Sequence, residues 1–184
     1  LVHTTGLYLA VFPTAVGPCG IVWDAAGAVH GTSLPQGGSP AVRRALLARF
    51  PGVDEAPAPP GVAATVAELQ RLLAHGEGDL SGVVLDMTDV PAFDRRTYEI
   101  VRTVPPGHTL TYGEVADRLG APGAAQAVGR AMGRNPFPPI VPCHRVLAAD
   151  GGIGGFSARG GAHTKRRMLE TEGALPEQAA LFDL

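Results

Sequence analysis

The chain has 184 residues, 45% hydrophobic and 17% charged, enough to bury one ordinary core or two small ones. Its 25 glycines and 17 prolines follow no three-residue period and are interrupted by apolar runs, which excludes collagen and disorder and predicts a compact, turn-rich fold. A net charge of -2 conceals an asymmetry: residues 1–90 carry four arginines against eight acids, residues 91–173 eleven Lys and Arg against seven acids. A DNA-facing surface therefore belongs in the second half if anywhere, because phosphate contacts need local rather than global positive charge. No run approaches the roughly 18 apolar residues of a membrane span, and Leu1 to Gly20 lacks a basic start, so a cytoplasmic protein with no membrane partner is expected. With Cys19 and Cys143 as the only cysteines, a disulfide framework and a four-cysteine zinc site are both excluded.

In chain order, Gly6 to Pro13, Cys19 to Trp23 and Ala28 to Leu34 are β-rich runs joined by turn residues, predicting a hairpin or small meander. Ser39 then Pro40 supply an N-cap and a first-turn proline for a helix to about Phe50, where Pro51-Gly52 stops it. After a Pro-rich connector, Val62, Val66, Leu69, Leu72 and Leu73 mark one face of a helix ending near Gly76. Leu80 to Met87 is predicted as a buried strand, and a boundary is expected near Thr88 to Pro91. A helix over Ala92 to Thr103 should bury Phe93, Thr97, Ile100, Val101 and Val104 before Pro105-Pro106-Gly107 breaks it. Thr111-Tyr112-Gly113-Glu114 matches a capping box for a helix to Leu119. Gly120 to Gly123 turns the chain into a third helix, Ala124 to about Gly133, rich in small residues. Two short helices about a tight turn fit either a helix-turn-helix or a helical hairpin that binds no DNA.

Chemistry is concentrated at Pro142-Cys143-His144-Arg145-Val146, which follows the apolar run Phe137 to Val141. A cysteine is nucleophilic only as its thiolate, which needs a nearby base or positive charge, and His144 and Arg145 adjoin it. On an extended segment consecutive side chains diverge, so His144 could reach the sulfur only through a turn or a bridging water. On these residues alone, a buried structural cysteine beside an unrelated histidine is the reading to be preferred. Cys19, within a predicted strand, reads as core.

The run Asn135-Pro136, Ile140-Val141-Pro142-Cys143-His144-Arg145-Val146 resembles the active-site signature of the O6-alkylguanine-DNA alkyltransferases, or methylated-DNA–protein-cysteine methyltransferases. The resemblance takes in Thr111-Tyr112, the Ala127-Val128-Gly129 helix, the Gly151 to Gly161 loop and the Lys165 to Gly173 helix, about half the chain in order and spacing. It implies an α/β two-domain fold: a small ribonuclease-H-like N-terminal domain (1–88), a helical helix-turn-helix alkyltransferase domain (89–175) and a tail (176–184). It implies that Cys143 takes an alkyl group irreversibly from O6 of guanine in double-stranded DNA, once per molecule, with no cofactor and as a monomer. His144, through a water, and Glu172 would form a proton relay, Tyr112 would neutralise the leaving base at N3, and Asn135 would be a hinge. Val146, Ser157 and Phe156 would meet the base, and Gln126, Ala127, Gly129 and Arg130 would lie on the DNA-binding helix.

The chain departs from the family at Gln126, where relatives usually carry an arginine that fills the stack behind the flipped nucleotide, and at Phe156, where a tyrosine is common. Glutamine lacks the charge and planar stacking face of arginine, and Arg130, four residues on and on the same helical face, is a candidate stand-in. Gln126 would also suit a cysteine methyl acceptor with a small-molecule or biosynthetic role. A non-catalytic lesion-binding protein would ordinarily lack Cys143, and a helix-turn-helix regulator would need a sensor domain for which the chain has no separate segment. Zinc held by Cys19, His3, His30 or His75 is not expected, since one cysteine and scattered histidines make a poor ligand set.

Overall fold

The structure is a computed structural model and describes residues 6–153 and 161–175. The chain starts with an antiparallel meander of β1 (Leu7–Phe12), β2 (Cys19–Asp24) and β3 (Val29–Ser33), followed by α1 (Ser39–Arg49). A two-residue strand β4 (Asp54–Glu55), inside the Pro-rich connector, pairs parallel to β1 and completes the sheet in the order β3-β2-β1-β4. Its two residues are too few to leave a pattern in the sequence.

The sheet is covered on both faces. Leu7 and Leu9 of β1 and Val22 of β2 pack with Val42 and Leu46 of α1, whereas Phe12, Ile21 and Trp23 join the larger core shared with α2 (Pro60–His75) and the second half of the chain. Burial of β2 on both sides explains its continuous apolar sequence in place of an alternating one. At Gly20 a Cβ would stand 3.0 Å from Val42 and closer still to Leu46, so glycine allows α1 to lie against the strand.

Several expected boundaries shift. Ser39 is the first helical residue of α1 and Gly38 its cap, with no side-chain cap bond, because Pro40 occupies the first turn. The segment expected as a strand over Leu80 to Met87 makes a single bridge, Val29 to Leu85, with Val84 largely exposed. The Val29 N–H to Val84 O and Asp86 N–H to Val29 O bonds join it to β3, the Arg102 guanidinium takes up the carbonyls of Leu80 and Val83, and Asp86 then turns the chain by accepting from the Thr88 N–H. The predicted end of α2 is borne out: Gly76 is a left-handed C-cap with φ 71°.

In the second half, α3 (Ala92–Val101) packs on α5 (Ala125–Gly133), and α4 (Tyr112–Arg118) packs on both. Its buried face is rotated from the expected one: Asp94 and Tyr98 are buried with Thr97 and Val101, while Phe93 and Ile100 are only partly covered. Polar partners cause the difference. Asp94 receives two bonds from the Arg134 guanidinium, at 2.9 and 3.0 Å, and the Tyr98 hydroxyl donates to Ala131 O at 2.8 Å. The Thr111 hydroxyl accepts from the Glu114 N–H at 3.1 Å, as the capping pattern predicts. β5 (Leu110–Thr111) and β6 (Val146–Leu147) pair in parallel, fastening the start of α4 to the chain just after Cys143, and α6 (Gly161–Thr171) closes the described fold. No helix among the described residues is long and apolar enough to cross a membrane.

Candidate active site

The loop from Asn135 to Pro142 is organised by one side chain. Asn135 donates through Nδ2 to Val141 O at 2.8 Å and accepts through Oδ1 from the Phe137 N–H at 2.9 Å. The chain then makes a single 3-10 turn, Cys143–Arg145, rather than the extended run expected there. This turn is what separates the three side chains. Cys143 is 6% exposed and its N–H also donates to Val141 O, at 2.8 Å. Burial pushes the Cys143 thiol up, opposed by hydrogen bonding from Asn135, the charge of Lys165 and the N–H groups of Cys143 and His144.

His144 is fully buried and its Nε2 lies 2.7 Å from Glu172 Oε1. With a carboxylate at Nε2, that nitrogen carries the proton and Nδ1 is left as the acceptor. Nδ1 is buried and has no hydrogen-bond partner among the described residues. Burial holds the imidazole below its ordinary value, which keeps it a neutral base despite the adjoining carboxylate. Arg145 does not turn toward the thiol. Its Nε and Nη2 donate to Glu172 Oε2 and Oε1, each at 2.9 Å, and its Nη1 donates to Val104 O at 2.7 Å. For Glu172 burial would raise the carboxyl, but the bonds from His144 and Arg145 outweigh it and hold it at about 2.

Tyr112, the first residue of α4, is half-buried, and burial with the nearby Cys143 raises its phenol. Lys165 was not singled out from the sequence, yet it is 1% exposed and its ammonium donates to Val146 O at 2.9 Å. Its place on the α6 pattern offered no signal, because a lysine there reads as solvated. Val146 is itself fully buried. On α5, Gln126 and Arg130 are exposed and Ala127 and Gly129 partly so. Phe156 and Ser157 lie outside the described residues. Cys19 is core, 3% exposed and beside the Thr14 hydroxyl, with its thiol pushed up to about 12 by burial. His30 meets Asp24 at 2.8 Å and Asp86 at 3.5 Å; among the described residues considered for zinc, Cys19 and His75 lie outside this group, and His3 lies outside the described residues.

Comparison with known proteins adds an independent observation. A family model described as the 6-O-methylguanine DNA methyltransferase DNA-binding domain matches residues 92–174. A methylated-DNA–protein-cysteine methyltransferase of Mycobacterium bovis is 44% identical over 118 residues, 62% of this chain and 70% of the relative. The chain belongs to this family. A relative of the same name from Methanopyrus kandleri is 42% identical over 129 residues, 65% of this chain and 95% of the relative. The similarity also extends through the first half in three dimensions: the Mycobacterium tuberculosis family member OGT, solved in complex with DNA, superposes with a TM-score of 0.71 at 32% identity, covering 91% of this chain and 93% of that one. The Pyrococcus kodakaraensis O6-methylguanine-DNA methyltransferase gives 0.67 at 30% identity, covering 91% and 99%. An α/β fold like that of these family members is thereby established.

Proposed function

We propose that this alkyltransferase repairs double-stranded DNA by moving an alkyl group from O6 of guanine onto Cys143, once per molecule. The observation that carries the reading is the buried Cys143, His144, Glu172 arrangement, in which the imidazole presents an Nδ1 without a partner among the described residues while its other nitrogen is fixed by a carboxylate. A water at Nδ1 relays the thiol proton to His144, and Glu172 stabilises the imidazolium that results. The sulfur attacks the alkyl carbon in line, an S–C bond forms as the C–O6 bond breaks, and the electron pair passes into the guanine ring. Tyr112 donates a hydrogen bond at N3 that stabilises the departing guanine anion, or passes its proton there so that guanine leaves neutral, the phenolate then being reprotonated at the expense of the imidazolium. The thioether has no route back, which makes the protein a reagent consumed by its reaction. No step requires a cofactor.

The target atom is out of reach inside a duplex, so the nucleotide is flipped at a cost of a few kcal/mol. In this reading α4 and α5 act as a helix-turn-helix within an alkyltransferase unit of residues 89–175, α5 presenting Gln126, Ala127, Gly129 and Arg130 to DNA, and residues 1–88 form a reduced ribonuclease-H-like layer. Gln126 fills the vacated stack without charge, and Arg130 supplies the nearest cation on its face. Val146, with Phe156 and Ser157, meets the base, and the protein acts as a monomer in the cytoplasm.

The test is peptide mass spectrometry after mixing with a duplex containing O6-methylguanine. One methyl on the peptide carrying Cys143 is expected; a methyl on Cys19, or none at any concentration, defeats the reading. Gln126 favours one alternative, a methyl acceptor for small molecules, which predicts transfer from free O6-methylguanine and none from the duplex.

A further inference from the structure

Four of the seven residues from Pro136 to Pro142 are prolines, which have no N–H, so this loop has few backbone donors of its own, and the Val141 N–H bond to Phe137 O at 2.9 Å holds only its inner turn. Asn135 closes it from within, and the donors for its outward carbonyls come from the first half of the chain. The Thr32 N–H donates to Pro136 O at 2.9 Å, and the Thr32 hydroxyl to Pro138 O at 2.6 Å. Arg49, the last residue of α1, donates from Nη2 to the same Pro136 O at 3.0 Å and from Nη1 to Thr32 O at 2.7 Å. Thr32 is 2% exposed, and the Arg49 guanidinium lies 5.2 Å from the centre of the Phe50 ring. Room for this is provided at Gly31, where a Cβ would stand 2.6 Å from Arg49 Nη2 and 2.8 Å from Phe50.

We propose that Arg49 and Thr32 are positioning residues for alkyl transfer, holding the proline-rich loop so that Asn135 and Cys143 keep their relative placement. The route is short. Asn135 Nδ2 and the Cys143 N–H bond the same acceptor, Val141 O, and Asn135 directly precedes the Pro136 whose carbonyl is held by both Thr32 and Arg49. The meander and α1, which contribute no reacting group, thereby control the geometry of the thiol, through contacts such as that of Thr32 with Pro138, 106 residues further along the chain. This inference rests on the alkyl-transfer reading.

The experiment is single-turnover transfer from an O6-methylguanine duplex, resolved into duplex affinity and the first-order transfer constant at saturating DNA. Arg49→Met should lower the transfer constant about tenfold, as a displacement of well under 1 Å at a reacting group does, with affinity nearly unchanged. Thr32→Val, which keeps the backbone bond and loses only the hydroxyl, should lower it less, and Arg49→Lys should restore part of the loss. The distinguishing measurement is made in an Asn135→Ala background, where Arg49→Met should cause no further loss because the connection is already cut. Val42→Ala, a destabilising change in the α1 core away from the loop, should leave the transfer constant intact. Transfer by Arg49→Met and Thr32→Val at the wild-type rate, or full additivity with Asn135→Ala, overturns the brace alone. A wild-type protein that transfers nothing overturns the reading of function and the brace with it.

Discussion

Replacing Glu172 by glutamine tests the buried polar centre most directly. The carboxyl is held at about 2 in the folded chain against an ordinary 4.5, and its side chain is 1% exposed. The gap corresponds to about 3 kcal/mol of folding free energy, in line with the cost of breaking a buried ion pair. Because the folded value is depressed, the contribution is complete above about pH 5 and is lost as pH falls through 4.5 toward 2. At pH 7, Glu172→Gln should therefore unfold at lower urea, by about 3 kcal/mol, and melt about 6–12 °C below wild type. The difference between the two proteins should shrink steadily between pH 4.5 and 2, since wild type loses there what the variant never had. Burial already lowers His144, and without the carboxylate it becomes a still weaker base, so single-turnover transfer should slow by about 10–100-fold without stopping. Equal stability at pH 7, or a stability gap that persists unchanged into acid, would refute the assignment of Glu172 as the anion shared by His144 and Arg145.

Cys143→Ser should abolish alkyl transfer while leaving the far-ultraviolet spectrum and weak duplex binding in place; stoichiometric clearance of the lesion by that variant would contradict the acceptor role. Gln126→Arg should bind duplex DNA more tightly, with a steeper loss of affinity as salt rises, and should speed transfer from duplex but not from free O6-methylguanine. Equal acceleration on both substrates would instead indicate a changed active site. Gly76→Ala should destabilise the chain by about 1–3 kcal/mol in urea unfolding, because it combines a left-handed φ of 71° with a Cβ only 2.8 Å from Glu172 Cα. An unchanged midpoint would show that α2 and the Glu172 turn separate freely.

What the sequence determined by itself rests on signals that act within a few residues. Gly76 ends α2, Pro105 and Pro106 follow α3, and Thr111 caps α4 because cap and break chemistry involves only adjacent backbone groups. The Pro142 to Val146 motif likewise carries its resemblance in consecutive residues, and the pairing of His144 with Glu172 followed from that resemblance rather than from any pattern linking positions 28 apart. Only the tertiary structure decided where long polar side chains find partners. Arg145 adjoins the thiol in sequence, yet it reaches Glu172 and Val104 O, the latter 41 residues away. Asp94 and Tyr98 look like surface positions until Arg134 and Ala131 O are placed beside them, and Lys165 looks solvated until Val146 O is. The strand expected over Leu80 to Met87 failed for the same reason: its apolar residues met one bridge on β3 rather than a full partner strand. A buried polar group is stable only when its partner is present, and that partner's position is a property of the fold.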